Sequence, residues 1–184
     1  MTILGIAGSL REGSYNRALL RVARELLPAG VELRELDLRQ LPFYDGDVEA
    51  AGDPEPVVAL KDAIRSADAL LIATPEYNRG IPGVLKNAID WASRPPLGSP
   101  LTGKPVAIMG ASTGRSGTAR AQEQLRAALE FSRSTVLEQP EVLVPEAYLR
   151  FDARGELTDE SVRADLAELV DTLVAVAGGV TLAA

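Results

Sequence analysis

The sequence predicts an α/β fold, a three-layer sandwich in which a five-stranded parallel sheet carries helices on both faces. Short apolar runs alternate with amphipathic helical patterns five times along the 184 residues. This alternation is typical of βαβ units built on a parallel sheet. Three of the apolar runs are continuous, as expected for strands that helices cover on both faces. We find no internal repeat or interdomain linker, so a single domain over residues 1–184 is expected.

The predicted strands differ in polarity, and this difference predicts their order. The first, third and fourth strands are almost wholly apolar, whereas the second contains charged residues. A strand of mixed polarity belongs at the edge of a parallel sheet. With right-handed crossovers, the pattern fits the order 2-1-3-4-5 of flavodoxin-like folds. The predicted strands span 2–7, 31–38, 69–73 and 105–109, with a last strand region at 134–144 that Pro140 interrupts.

Apolar residues at intervals of three and four predict five helices. In the first, Leu19, Leu20 and Ala23 share one face, and the Pro-Ala-Gly sequence at 28–30 ends the helix. Thr158 is expected to cap the last helix. The four predicted helices before the last one span 16–27, 57–67, 84–91 and about 118–131.

A long polar connection joins the second strand to the second helix. It covers residues 39–56 and is rich in proline and glycine. Connections of this length are usually functional or mobile. Phe43 and Tyr44 could cover a ligand or pack the connection onto the body of the protein, and the sequence leaves both possibilities open.

The composition restricts the possible chemistry. The 26 acidic and 19 basic residues give a net charge of −7, which disfavours a dedicated binder of nucleic acid or of anionic membranes. The sequence contains no cysteine and no histidine. This excludes a disulfide, a Cys or His nucleophile, a Ser-His-Asp triad and a Cys/His zinc site. An enzyme would then rely on carboxylates, Tyr, Lys, a metal held by oxygens, or a bound cofactor that carries the reactive group. Together with the loop at 8–16 described below, this favours a cofactor, and we assign no metal ligand.

The chain ends predict a cytoplasmic location. The first residues form a strand pattern without the basic and apolar regions of a secretory signal. The longest apolar region without charge, 172–184, is shorter than the roughly 20 residues that span a bilayer. Residues 180–184 are predicted to be a frayed end.

The segment Gly-Ser-Leu-Arg-Glu-Gly-Ser-Tyr-Asn at 8–16 is the first candidate binding loop. It connects the first strand to the first helix, whose free N–H groups and dipole favour an anion. Ser9, Ser14 and Asn16 can form hydrogen bonds at short range, and Arg11 adds a forked cation that suits phosphate. The glycines at 5, 8 and 13 have the wrong spacing for a dinucleotide fingerprint. The P-loop pattern is also absent, since Arg115 follows Gly114 in the second glycine-rich loop and no lysine is near. We favour phosphate binding over an ordinary strand–helix loop with a capped helix.

Two further loops are expected beside this one. In the predicted sheet the loops after the first, third and fourth strands leave the same carboxyl edge, where the strand order reverses. The third-strand loop covers 75–80, and the fourth-strand loop at 110–117 is rich in glycine and hydroxyls. Their glycines let backbone N–H groups approach a flat ring closely. The three loops therefore predict one ligand site.

Three segments carry a family resemblance. GSLREGSYN at 8–16, PEYNRGIPGVLKNAIDW at 75–91 and GASTGRSGTAR at 110–120 resemble the NADPH-dependent FMN reductases, which include flavodoxin-like quinone, chromate and azo reductases. The resemblance implies a homodimer or homotetramer with the flavin near a subunit boundary. It implies that Ser9, Arg11, Ser14 and Asn16 hold the FMN phosphate. It implies that the isoalloxazine edge and the ribityl chain lie along Pro75, Glu76, Tyr77 and Asn78, mainly through backbone groups. Ser112 and Gly114 would border the ring from the fourth-strand loop.

The same resemblance implies an activity. NADPH or NADH would pass a hydride to flavin N5 and leave, and a small-molecule acceptor would then take two electrons in a ping-pong cycle. The acceptor would be a quinone, an azo compound, chromate or free flavin. No protein residue is assigned as a catalytic acid or base. One alternative is an electron carrier of the flavodoxin type that does not oxidise NAD(P)H directly. A second alternative is a nucleotide-binding or regulatory module on the same fold.

The sequence leaves two possible roles each for Tyr77 and Arg115 and favours a structural role for Glu76 and Trp91. Tyr77 could stack on the flavin or point toward a partner subunit. Arg115 could attract the NADPH phosphate or be solvated. Glu76 is expected to act mainly through its backbone, and Trp91 is expected to be an anchor in the core or at an interface.

Overall fold

The computed structural model describes residues 1–180, so residues 181–184, most of the predicted frayed end, lie outside the described part. The described chain contains one parallel sheet, with strands in the order β2-β1-β3-β4-β5. This confirms the predicted order, including the edge position of the charged second strand. A sixth strand, β6, also pairs with β4. The strands are β1 Thr2–Ala7, β2 Glu32–Leu36, β3 Ala69–Ala73, β4 Pro105–Ala111, β5 Thr135–Val136 and β6 Val142–Val144.

The last strand region is divided into two, as the break at Pro140 predicted. β5 pairs with the beginning of β4, where Thr135 lies opposite Pro105. β6 pairs with the end of β4, where Val142 lies opposite Met109. The division matters for the site because β6 supports the carboxyl end of β4, from which a candidate loop leaves.

Helices cover both faces of the sheet. Helices α1 and α6 pack on one face, and α3, α4 and α5 pack on the other. Neighbouring residues of a strand point to opposite faces of the sheet: Leu71 packs in the core with α1 and α6, and Leu70 packs in the core with α3, α4 and α5. Within residues 1–180, no helix combines the length and the apolar character needed to cross a bilayer. The helices are α1 Tyr15–Leu26, α2 Gly46–Ala51, α3 Glu55–Ser66, α4 Gly83–Ala92, α5 Ala119–Phe131 and α6 Glu160–Ala177.

The predicted cap of α6 is wrong by one residue. The Asp159 carboxylate, not the Thr158 hydroxyl, accepts hydrogen bonds from the backbone N–H groups of Ser161 and Val162, at 3.0 and 3.2 Å. The Thr158 hydroxyl instead donates to the Arg150 carbonyl oxygen. The hydrogen bond from the Ser161 hydroxyl, the backbone bond from Val162 and the Arg150 guanidinium together lower the pKa of Asp159 below its ordinary value of 3.8.

The connection at 39–56 is anchored to α4. The Pro42 carbonyl oxygen accepts hydrogen bonds from Asn87 Nδ2 and Trp91 Nε1, both at 2.9 Å. The Tyr44 N–H donates to Asn87 Oδ1 at 2.8 Å, and the Tyr44 and Trp91 rings form a T-shaped pair with centroids 5.0 Å apart. Trp91 is fully buried, so it is a core anchor. Tyr44 therefore packs the connection onto the body, whereas Phe43 between the anchors is 85% exposed.

Candidate cofactor-binding site

The loops after β1, β3 and β4 enclose a cleft of about 270 Å³ at the carboxyl edge of the sheet. Of the ten residues that the sequence predicts for the site, eight line this cleft. Asn78 and Gly114 belong to the same loops but do not line it. The cleft is also lined by Tyr15, Ala111 and Thr113, which sequence analysis missed, although each directly adjoins a predicted residue. The predicted residues that line it are Ser9, Arg11, Ser14, Asn16, Pro75, Glu76, Tyr77 and Ser112.

The first loop places hydroxyls and a cation at the beginning of α1. Ser9 and Ser14 are buried, and Ser14 caps the helix by accepting a hydrogen bond from the Asn16 N–H at 3.2 Å. The exposed Arg11 side chain donates from Nη2 to the Gly13 carbonyl oxygen at 2.8 Å. This bond uses one nitrogen of a guanidinium that offers five N–H donors. The arrangement suits an anion, because the positive end of the helix dipole adds to the charge of the arginine.

Asn16 joins the first loop to the end of β4. Its Nδ2 group donates to the Ala111 carbonyl oxygen, and its Oδ1 atom accepts from the Ala111 N–H, both at 2.9 Å. The side chain is 3% exposed. Asn16 thus has a bridging role that the sequence did not indicate, in addition to its place in the wall of the cleft. Its contact with a phosphate stays a prediction.

The second loop ends in a tight hairpin turn. Tyr77 and Gly80 exchange backbone hydrogen bonds of 3.2 and 3.1 Å across it. The two central residues, Asn78 and Arg79, have φ angles of 52° and 62°. The Tyr77 hydroxyl lies 3.5 Å from Ser9 Oγ, while its side chain is about half exposed. Tyr77 therefore spans from the second loop to the first at the mouth of the cleft.

The Glu76 carboxylate connects the second loop to α5. It accepts hydrogen bonds from the Ser116 hydroxyl at 3.1 Å and from the N–H groups of Arg120 and Ala121 at 3.0 and 3.2 Å. The residue before α5, Thr118, provides no side-chain cap. Glu76 therefore supplies the cap from a different loop, and its carboxylate accepts three hydrogen bonds in doing so.

The third loop lies close against the second at Gly110. A Cβ atom at this glycine would lie 2.1 Å from Thr118 Oγ1 and 2.4 Å from the Thr74 carbonyl oxygen. Beyond it, the Ser112 N–H donates to the Val144 carbonyl oxygen of β6 at 3.0 Å. Only glycine fits at position 110, and β6 fixes the loop that follows.

The donor set fits FMN. The hydroxyls, guanidinium and helix N-terminus of the first loop suit the phosphate, and the second and third loops offer backbone groups along which a flat ring can lie. A larger cavity of 370 Å³ lies elsewhere, between residues 93–99 and 131–133. It contains no residue of the three loops, so we place the candidate site in the cleft.

A sequence profile of the NADPH-dependent FMN reductase family matches residues 1–148. The chain is 53% identical over 161 residues to an NAD(P)H-dependent FMN reductase of Pseudomonas aeruginosa, covering 88% of this chain and 86% of the relative. It is 41% identical over 175 residues to a 2-hydroxy-1,4-benzoquinone reductase of a Burkholderia species, covering 95% of each.

Among solved structures, the flavoenzyme NAD(P)H:(acceptor) oxidoreductase FerB of Paracoccus denitrificans is similar, with a TM-score of 0.87. The two chains are 38% identical, and the alignment covers 96% of this chain and 97% of FerB. The similarity therefore extends over nearly the whole fold.

Proposed function

This chain belongs to the NADPH-dependent FMN reductase family, and we propose that the cleft between its three loops is the FMN site. It is an NAD(P)H-dependent FMN oxidoreductase that acts on quinone-type acceptors. The convergence of the three predicted loops on one cleft, with Arg11 and buried hydroxyls at the beginning of α1, carries the assignment of the site.

The first loop is proposed to hold the FMN phosphate through Ser9, Arg11, Ser14 and Asn16. Hydrogen bonds to a charged group contribute about 1.5–3 kcal/mol each, so three or four of them approach the roughly 8 kcal/mol of micromolar binding. The flavin ring and ribityl chain are proposed to lie along 75–78, with Ser112 and Gly114 at the other border. These two loops are held in place by Glu76 and by β6.

Bound FMN would supply the two-electron redox chemistry, with NADPH or NADH as the hydride donor and a small molecule as the acceptor. The residues of the three loops are proposed to bind and orient the cofactor. We assign no residue as a catalytic acid or base. Glu76, the carboxylate that lines the cleft, already accepts three hydrogen bonds, so water is left to supply protons.

We propose further properties that follow from the family. Quinones are the favoured acceptors, since relatives of Burkholderia and Escherichia coli are named as quinone reductases, and azo compounds, chromate and free flavin are other candidates. Residues 1–184 are proposed to form a single FMN-binding domain in the cytoplasm, assembled as a homodimer or homotetramer. Neither a nucleic acid nor a membrane is proposed as a partner.

An absorption spectrum of the purified protein, recorded before and after anaerobic addition of NADPH, tests this proposal. Flavin bands that bleach are the expected result. Bands that persist with both NADPH and NADH would instead favour an electron carrier. A colourless protein that FMN cannot reconstitute would overturn the assignment of the cleft.

A further inference from the structure

Helix α5 contacts the second loop at two places. At its N-terminus it is capped by Glu76, at the beginning of the loop. One turn further on, the side chain of Gln124 contacts the hairpin turn at the other end of the same loop. Gln124 does not line the cleft, and nothing in the proposed function uses it.

The Gln124 amide is matched to the turn on both of its sides. Nε2 donates to the Arg79 carbonyl oxygen at 3.1 Å, and Oε1 accepts from the Ile81 N–H at 3.3 Å. Between them, a Cβ atom at Gly80 would lie only 3.0 Å from Gln124 Oε1. The absence of a side chain at Gly80 therefore lets the amide lie directly against the backbone of the turn.

The turn needs such support because of its backbone conformation. Asn78 and Arg79 both have positive φ angles. Asparagine tolerates the left-handed region, but arginine adopts it at a cost, and such a conformation persists only where the surroundings determine it. The reciprocal bonds between Tyr77 and Gly80 close the turn. The Gln124 amide then fixes the carbonyl of the strained residue.

We propose that Gln124 is a positioning residue for the flavin. Its amide holds the turn at 77–80 in the strained conformation. Helix α5 thereby fixes the position of the second loop relative to the third loop, in addition to the contacts that Glu76 makes. This inference rests on the proposed FMN site in the cleft. It adds a residue outside the cleft that determines cofactor affinity through the backbone of the second loop.

The test compares Gln124→Ala with Glu123→Ala, a control at the exposed neighbouring position of the same helix. Trypsin cleaves after arginine, so cleavage between Arg79 and Gly80 in FMN-free protein, followed by mass spectrometry, reports opening of the turn. In Gln124→Ala, we expect about three- to tenfold faster cleavage at this bond and a similar rise in the FMN Kd. Glu123→Ala should match the wild type in both measurements.

A second arm separates support of the turn from a general structural effect. Glycine adopts positive φ without strain, so Arg79→Gly should reduce the dependence of FMN binding on Gln124. The loss of FMN affinity caused by Gln124→Ala should be smaller in the Arg79→Gly background than in the wild type. Equal losses in the two backgrounds would overturn the proposed mechanism.

The inference and the proposed function can fail separately. If Arg11→Ala weakens FMN binding while Gln124→Ala changes neither cleavage nor the FMN Kd, the inference is wrong and the FMN site stands. If the wild type binds no FMN, the proposed function is wrong. Cleavage at Arg79 still decides in that case whether Gln124 holds the turn.

Discussion

The side-chain amide of Asn16 and the backbone of Ala111 exchange two hydrogen bonds, each 2.9 Å long. The two residues are 95 positions apart, and both are almost completely buried. One side chain therefore ties the beginning of α1 to the end of β4, and so the first loop of the cleft to the third.

Replacing Asn16 by alanine should destabilise the fold. The change leaves the buried N–H and carbonyl of Ala111 without partners, and we expect a loss of about 2–4 kcal/mol in the free energy of unfolding. Urea denaturation of the FMN-free protein measures it. Arg11→Ala, in an exposed part of the same loop, is the control and should change stability by less than about 0.5 kcal/mol. Equal stability of the two variants would contradict the bridging role.

Arg11→Ala should weaken FMN binding while leaving the fold intact. The lost hydrogen bond to a charged group corresponds to a rise in the FMN Kd of roughly 10- to 100-fold. Arg11→Lys should recover only part of the affinity, because an ammonium group lacks the forked donors. Titration of the FMN-free protein with FMN, followed by flavin fluorescence, gives both values. An unchanged Kd in Arg11→Ala would remove Arg11 from the phosphate site.

Gly110→Ala should disrupt the contact between the second and third loops. The new methyl group would collide with Thr118 Oγ1 and with the Thr74 carbonyl oxygen. A backbone oxygen cannot rotate away, so the cost should reach about 3 kcal/mol or more. Gly114→Ala is the matched control, since its nearest contact would be an ordinary 3.5 Å to Ser112 Oγ. Thermal unfolding measures the stability of both variants. Similar melting temperatures would show that the two loops move apart with little loss in the free energy of unfolding.

Asp159→Asn should make the free energy of unfolding depend less on pH in the acid range. The pKa of Asp159 is lowered in the folded state, so its carboxylate stabilises the fold at every pH above its unfolded pKa. That contribution is lost as the pH falls through the lower folded value. Asparagine preserves the N-cap but not the ion pair with Arg150, which spans 2.6 Å. Urea midpoints at about pH 7 and about pH 2 should differ less in the variant than in the wild type. If the urea midpoint falls equally in the variant and in the wild type between these pH values, other carboxylates cause the loss of stability in acid.

Much of the fold could be predicted because its signals are local. Continuous apolar runs identified β1, β3 and β4, and the charges near Leu33 placed β2 at the edge. Helix α2 was missed, although Asp45 caps it by accepting from the Asp47 N–H. The reason is physical: α2 has no buried residue, so no apolar periodicity marks it.

The sequence predicted which loops lie together at the site, but it did not predict the hydrogen bonds between them. Topology alone brings the carboxyl ends of three strands together. By contrast, the cap that Glu76 gives to α5 joins residues more than 40 positions apart, and the bridge from Asn16 spans more than twice that separation. No local pattern in the sequence distinguishes such side chains from solvated ones, and only the folded arrangement shows which backbone groups they reach.

The anchoring of the 39–56 connection makes Phe43 a natural attachment point for a reporter group. The neighbouring contacts join Asn87 and Trp91 to main-chain atoms of Pro42 and Tyr44, so the side chain at 43 can be exchanged while those contacts persist. The native chain has no cysteine. Phe43→Cys would therefore give one thiol, on a rigid base and facing solvent, to which a dye or spin label could be coupled without removing any competing group first.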